Sequence, residues 1–185
     1  MTHYTIGYNM DGKLRFTYND IHLLVESKVP IIEAFEPDMI IAIGTGGFIP
    51  ARMLRKHIKI PFYAVIIKLY DDITDQIGHA PERIQWLTEE QQASMKGKRI
   101  LIVDEIDDTR KTLSYCAREI QKYEPEHIAI FVVHNKLKKK EDNLDDNIIY
   151  LSCANIPDKW VIYPWEADNI IDHDKKAIEA LKMSN

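Results

Sequence analysis

Two rhythms of apolar and polar residues alternate along the chain. Four nearly continuous apolar runs, "MIIAIG" (39–44), "PFYAVIIKLY" (61–70), "KRILIVDE" (98–105) and "HIAIFVVHN" (127–135), are short enough for strands and lack the in-out alternation of a half-exposed sheet. Between them lie helical patterns. In "TRKTLSYCAREIQKY" (109–123) the positions Leu113, Cys116, Ala117 and Ile120 fall on one face, and "FIPARMLRKH" (48–57) is a helix starting near Pro50. Strands apolar on both faces, alternating with helices, imply a parallel sheet covered on both sides. The N-terminal "YTIGYNMDGKLRFTY" reads as a short hairpin turning at Asp11-Gly12, and "NDIHLLVESKVPIIEAF" as a helix capped by Asn19 or Asp20 and kinked or divided at Pro30.

In a parallel sheet of this kind the binding site lies beyond the carboxyl ends of the strands. After the first strand comes "GTGG" (44–47), after the third "DEIDDTRKT" (104–112), and after the fourth "HNKLKKK" (134–140). Glycines, acids with hydroxyls, and lysines therefore converge on one rim. The polar stretch 70–92, "YDDITDQIGHAPERIQWLTEEQQ", is a candidate mobile lid, or a surface loop with a short helix.

Composition narrows the field. The 185 residues suit a single domain, and the net charge of −5 with 29 acidic against 24 basic residues disfavours a general nucleic-acid binder. No apolar run approaches the roughly 20 residues needed to cross a bilayer, and "MTHYTIGYNMDGK" carries no secretory pattern. Cys116 and Cys153 share no metal-ligand spacing and read as reduced thiols, which points to the cytoplasm.

The richest stretch is "ILIVDEIDDTRKTL" (100–113), where Asp104, Glu105, Asp107 and Asp108 crowd into five positions. A strand turning into a helix start offers free backbone N–H groups, and Thr109 and Thr112 add hydroxyls, which together suit a phosphate. Ionised Asp104 and Glu105 accept only, so they suit vicinal hydroxyls or a hydrated divalent cation. Phosphate cradle and diol acids side by side describe a ribose 5-phosphate site. A capped helix with solvated acids, or the Mg²⁺ pocket of a receiver-like domain, leaves the two threonines unexplained.

The stretch resembles the phosphoribosyl pyrophosphate-binding motif of type I phosphoribosyltransferases, with Arg110 where most members have glycine. "IPDKWVIYPWE" (156–166) resembles the purine-covering segment of the 6-oxopurine branch, and "IAIGTGGFIPAR" (41–52) its pyrophosphate loop. The resemblance covers about residues 18–172. It implies a parallel-sheet core flanked by helices with a small hood subdomain, the hood from about 1–17 and 147–172 and a flexible loop from about 70–87. It implies Mg²⁺-dependent transfer of phosphoribosyl to hypoxanthine or guanine, giving IMP or GMP and pyrophosphate.

Residue by residue, the resemblance places Asp104, Glu105, Asp107, Asp108, Thr109, Arg110, Lys111 and Thr112 on the phosphoribosyl group. Asp104 and Glu105 also hold the metal through water. Gly44, Thr45 and Gly46 take the pyrophosphate, with Gly44–Thr45 the candidate cis peptide. Many relatives carry a basic residue at Thr45, so Arg52, Arg55 or Mg²⁺ is left to balance that charge. Lys136, Trp160, Val161 and Glu166 bind the purine, with Lys138 a second choice for Lys136, while Asp108 and, from the lid, Arg83 are catalytic. A cytoplasmic homodimer or homotetramer follows by the same route. The alternatives are a xanthine- or pyrimidine-preferring enzyme of the same superfamily, and a phosphoribosyl pyrophosphate-sensing regulator that binds nucleic acid, which the acidic charge disfavours.

Overall fold

The computed structural model describes residues 11–70 and 77–183. Its centre is a six-stranded sheet in the order β4-β3-β2-β5-β6-β7, formed by β2 (Met39–Gly44), β3 (Phe62–Tyr70), β4 (Ile77–Gln85), β5 (Arg99–Asp107), β6 (His127–Leu137) and β7 (Ile149–Pro157). Every neighbouring pair is parallel except β3–β4. The four apolar runs are the four central strands. Their continuous hydrophobicity has a direct cause: alternate residues feed two separate cores. Ile40, Ala42, Leu101, Val103, Ala129 and Phe131 pack on one face, with α1 (Tyr18–Phe35) and α2 (Phe48–Leu54). Ile41, Ile43, Ile100, Ile102, Ile130 and Val132 pack on the other, with α4 (Lys111–Gln121).

Two local expectations change, and a third is described only in part. Helix α1 is capped by Thr17, one turn ahead of Asp20 rather than by Asn19 or Asp20. Thr17 Oγ1 accepts from the Asp20 N–H at 3.1 Å, and the Asp20 carboxylate accepts from the Thr17 N–H at 2.7 Å. Asp20 is thus the third helical residue of a reciprocal capping box. Pro30 lies inside α1 and does not divide it. It sits on the exposed side, where water can satisfy the carbonyl that lacks its N–H partner. In the N-terminal segment, the first arm of the expected hairpin lies outside the described residues. Its second arm, β1 (Leu14–Arg15), pairs in parallel with β8 (Val161–Ile162) to make a separate two-stranded sheet.

That small sheet sits at the carboxyl end of the main one, and the 3₁₀ turn Pro164–Glu166 follows it. Ile149–Pro157, within the segment expected to build the hood, is the edge strand of the main sheet. The lid region holds β4, antiparallel to β3, and the short helix α3 (Glu89–Ala93); residues 71–76 are outside the described set. The C-terminal helix α5 (Ile170–Met183) ties to the hood through His173, whose Nε2 lies 3.0 Å from the Phe16 carbonyl.

Replacing Thr17 by Ala removes a side-chain acceptor from the first turn of α1 and should lower the unfolding free energy by about 1 kcal/mol. Urea unfolding checks it; an unchanged midpoint would mean that Asp20 alone secures the turn.

Candidate active site

Strand β5 ends in four carboxylates, and each meets a different environment. Asp104 is 8% exposed, and one of its oxygens accepts from the Glu105 N–H at 2.9 Å. Burial, then the neighbouring Glu105 charge, pushes its pKa well above the usual carboxylate range. Glu105 has Oε2 buried with no hydrogen-bond partner among the described residues. Two crowded carboxylates, one short of a donor, fit vicinal hydroxyls or a hydrated cation. Among the described residues no group of three or more His, Cys, Asp or Glu side chains could hold a metal ion.

Asp107 is fully buried and is met by cations and a phenol. Arg110 donates to its Oδ2 from Nε (3.0 Å) and Nη2 (2.8 Å), Tyr150 Oη donates to the same oxygen at 2.8 Å, and Lys140 Nζ lies 3.3 Å from Oδ1. Asp108 accepts from Lys136 Nζ at 2.7 Å and from Lys138 Nζ at 2.8 Å, one lysine on each oxygen. Partial burial tends to raise Asp108, but the two ammonium groups outweigh it and hold the carboxyl below its ordinary range.

The parallel register explains how the lysines arrive. Asp107 of β5 lies opposite Asn135 of β6, so the residues just past Asn135 flank Asp108. Lys136, Lys138 and Lys140 follow at every second position and return toward the same acidic tip. Lys140 also donates to the carbonyls of Asp107 (2.7 Å), Asp108 (3.1 Å) and Lys136 (3.0 Å), which stitches the end of β6 to the turn.

Asp108, Thr109 and Arg110 form the turn into α4, whose first N–H groups have no intrahelical partners. Gly44 to Gly47 approach from β2, with a cis peptide at Gly44–Thr45. The approach is so close that a Cβ on Gly46 would lie 2.1 Å from the Glu105 carboxyl carbon, and one on Gly47 would lie 2.5 Å from the Ile43 carbonyl and 2.6 Å from that of Val103. From the hood, Trp160 and Trp165 close the far side. Together these elements surround a cavity of about 910 Å³.

Most of the expected site residues line it: Gly44, Thr45, Gly46, Asp104, Glu105, Asp107, Asp108, Thr109, Arg110, Thr112, Trp160 and Glu166. Lys136 stands behind Asp108, and Lys111 pairs with Glu141. Val161 is buried in β8. Arg83 is not in the cavity wall; it lies 3.5 Å from Glu119 on α4 and over the Trp86 ring at 5.3 Å. Arg52 and Arg55, on or just after α2, do not line it either.

The family model for the phosphoribosyl transferase domain matches residues 30–168. The chain is 42% identical to a hypoxanthine-guanine phosphoribosyltransferase of Schizosaccharomyces pombe, over 88% of this chain and 93% of the relative. It is 38% identical to xanthine phosphoribosyltransferase 1 of Saccharomyces cerevisiae, over 87% and 93%. The chain belongs to the phosphoribosyl transferase domain family. Among solved structures it superposes on a hypothetical protein from Neisseria gonorrhoeae with bound ppGpp, with a TM-score of 0.80 and 35% identity, over 96% of this chain and 99% of that one.

Against the family pattern, three parts of the site escape a reading of the sequence. Lys138 is expected only as a second choice for the purine lysine and Lys140 has no expected role, yet both reach the acids, and their spacing of two beyond a buried strand is the signal. Trp165 was a flanking residue of the purine-covering segment, yet it lines the cavity and stacks on Tyr163 at 4.6 Å and 3°. Tyr163 and His134 carry no sequence signature. Tyr163 Oη donates to the Glu105 carbonyl at 3.1 Å and lies 2.8 Å from His134 Nδ1. With the phenol proton on the carbonyl, the Nδ1–H form of His134 donates to the phenol. Burial pushes His134 down to about 3, so it is neutral at physiological pH.

The two glycine contacts predict separable effects. Gly46→Ala meets a flexible carboxylate, so the fold should survive while Glu105 is displaced and turnover falls. Gly47→Ala meets backbone, which should cost about 1–3 kcal/mol of stability. Thermal unfolding and steady-state assays on both variants check this. Equal stability losses would show that Glu105 is as fixed as the backbone.

Proposed function

We propose that the protein is a purine-salvage phosphoribosyltransferase. It would join hypoxanthine or guanine to phosphoribosyl pyrophosphate and release IMP or GMP and pyrophosphate. The observation that carries this is the division of labour at the tip of β5: a diol-type acid pair, a phosphate-type turn and a lysine-held carboxylate around one cavity under two tryptophans.

In this reading the turn 108–112 holds the 5′-phosphate with backbone N–H groups and the Thr109 and Thr112 hydroxyls. Asp104 and Glu105 face the ribose hydroxyls, and Gly44, Thr45 and Gly46 take the pyrophosphate. Trp160, 69% exposed at the cavity rim, supplies a ring to cover the base. Mg²⁺, the proposed cofactor, would sit at Asp104 and Glu105 through water and offset pyrophosphate charge. It would also keep Asp104 ionised against the burial that raises it.

The bond from C1′ to the pyrophosphate oxygen breaks, purine N9 bonds to C1′, and the proton on N7 passes to Asp108. Lys136, no longer committed to Asp108 alone, donates to the purine O6. Arg83 lies in β4, and closure of the segment that includes this strand would exclude water from the activated sugar. A homodimer or homotetramer in the cytoplasm is proposed on family resemblance. No helix among the described residues is long and apolar enough to cross a membrane.

A xanthine preference is the second reading, favoured by the 38% identical xanthine enzyme. The ppGpp in the Neisseria structure also suggests a guanine nucleotide with two diphosphates as a competing ligand, since this cavity offers both base and phosphate partners.

Pyrophosphate release measured with each purine in turn, with Mg²⁺ and phosphoribosyl pyrophosphate present, tests the assignment. Release with hypoxanthine or guanine is expected; release with none would overturn it. Asp108→Asn should lower kcat by roughly 10²–10⁴-fold with sugar-phosphate affinity little changed. A mutant with full turnover would remove Asp108 from the proton transfer. In the pH profile of kcat, where bound substrate already engages Asp104, the acid limb set by Asp108 is expected below the usual carboxylate range. Because Lys138 holds Asp108 down, Lys138→Ala should move that limb to higher pH, and a pH profile that stays put would show Lys136 sufficient.

A further inference from the structure

Arg110 stands where the family motif has glycine, and its backbone is left-handed, with φ of 72°. That conformation disfavours every residue with a Cβ. The residue, however, is held at three points, two on its side chain and one on its backbone. Its Nε and Nη2 donate to Asp107 Oδ2 at 3.0 and 2.8 Å, its guanidinium lies over the Tyr150 ring at 4.8 Å, and its carbonyl accepts from Ser114 Oγ at 2.7 Å. Tyr150 also donates its phenol proton to Asp107 Oδ2 at 2.8 Å, and Lys140 lies 3.3 Å from Oδ1. Asp107 is fully buried, so removing a partner leaves charge without solvent to replace it. Three strands meet in this cluster: Asp107 ends β5, Lys140 follows β6 and Tyr150 belongs to β7.

Resting on the phosphoribosyltransferase reading, we propose that Arg110 is a positioning residue: clasped by Asp107 and Tyr150, it fixes the phosphate turn in its binding conformation before the substrate arrives. Glycine at this position would permit the conformation, whereas Arg110 enforces it. Two of its three nitrogens, Nε and Nη2, are committed to Asp107, so the arginine acts chiefly through the turn, and a direct phosphate contact is the alternative that the Arg110→Lys variant tests. Loss of the clasp spreads the turn over many conformations, and part of the binding energy is then spent on ordering it.

The variants Arg110→Gly, Arg110→Lys and Tyr150→Phe separate the possibilities. Arg110→Gly keeps a backbone that tolerates the positive φ and leaves Tyr150 and Lys140 on Asp107, so the protein should fold with reduced stability. Its KM for phosphoribosyl pyrophosphate should rise about tenfold or more, with a smaller change in kcat. Arg110→Lys retains the charge but neither the planar fork nor the ring contact, and should not restore the wild-type KM. Tyr150→Phe should raise KM part-way, and the double variant Arg110→Gly/Tyr150→Phe should fall short of the product of the single effects. In the ligand-free protein, amide hydrogen exchange at residues 108–112 should quicken about tenfold in Arg110→Gly.

An unchanged KM and exchange rate in Arg110→Gly overturns the proposal, as does full rescue by Arg110→Lys, which would mark a direct charge contact. The exchange measurement needs no substrate. If no purine is turned over, the reaction assignment fails while the clasp is still decided by exchange alone.

Discussion

The constraint on which this molecule turns is that four carboxylates leave one buried strand within five residues. Left alone, they would repel one another in a poorly solvated place, and at least some would take up protons. The structure disperses the charge by giving each acid a separate setting. Asp104 and Glu105 stay crowded against the glycine loop, short of donors. Asp107 is neutralised inside the fold by Arg110, Tyr150 and Lys140, and Asp108 is held by Lys136 and Lys138 at the edge of the cavity. Glu105 Oε2 is left needing a partner, while Asp108 is held by groups that a ligand can share. Structural and chemical roles are thereby separated along a single turn.

The hood is locked to the same tip. The Tyr163 phenol bonds to the Glu105 carbonyl and to His134, Phe16 stacks on the His134 ring at 4.0 Å, and Tyr163 carries Trp165 on its other side. A wall of the cavity is therefore positioned from the strand that supplies the acids. Because burial keeps His134 neutral, the link is insensitive to pH across the physiological range. Its stability contribution would be lost only in acid: the unfolded histidine binds a proton below about 6.5, while the folded one resists until about 3.

How far this was legible in the sequence follows from which interactions are local. The strands were readable because parallel strands feed two cores and lose their polar positions, as Ile40 and Ile41 do by pointing to opposite faces. The acidic turn and the glycine loop were readable because their chemistry is contiguous in the chain. The partners of the acids were not. Lys138 and Lys140 look like a solvated run until the β5–β6 register brings them to Asp108 and Asp107. Tyr150 and Tyr163 lie 43 and 58 residues from the groups they bond, a separation no local pattern reports. The cap of α1 was misplaced for a smaller reason. Thr17, Asn19 and Asp20 are all good caps in isolation, and the reciprocal bond between Thr17 and Asp20 decides among them.

The same geometry bears on selectivity. Lys136 Nζ donates to Asp108 at 2.7 Å, so each satisfies the other. For the proposed 6-oxopurine the exchange is balanced: O6 replaces the carboxylate as acceptor for Lys136, and the N7 proton replaces the lysine as donor to Asp108. A 6-aminopurine cannot make that exchange, because its amino group is a donor facing a cation. Lys136 is nearly buried, so such a mismatch would leave a charge without its bond. The penalty for an unsatisfied buried donor, about 1–3 kcal/mol and more for a charged one, is enough to reject an adenine-type base without any steric gate. In the same proposal Lys138 would ease the exchange, since it would remain on Asp108 when Lys136 turned to the base and so keep the carboxylate charged at the moment it must accept a proton.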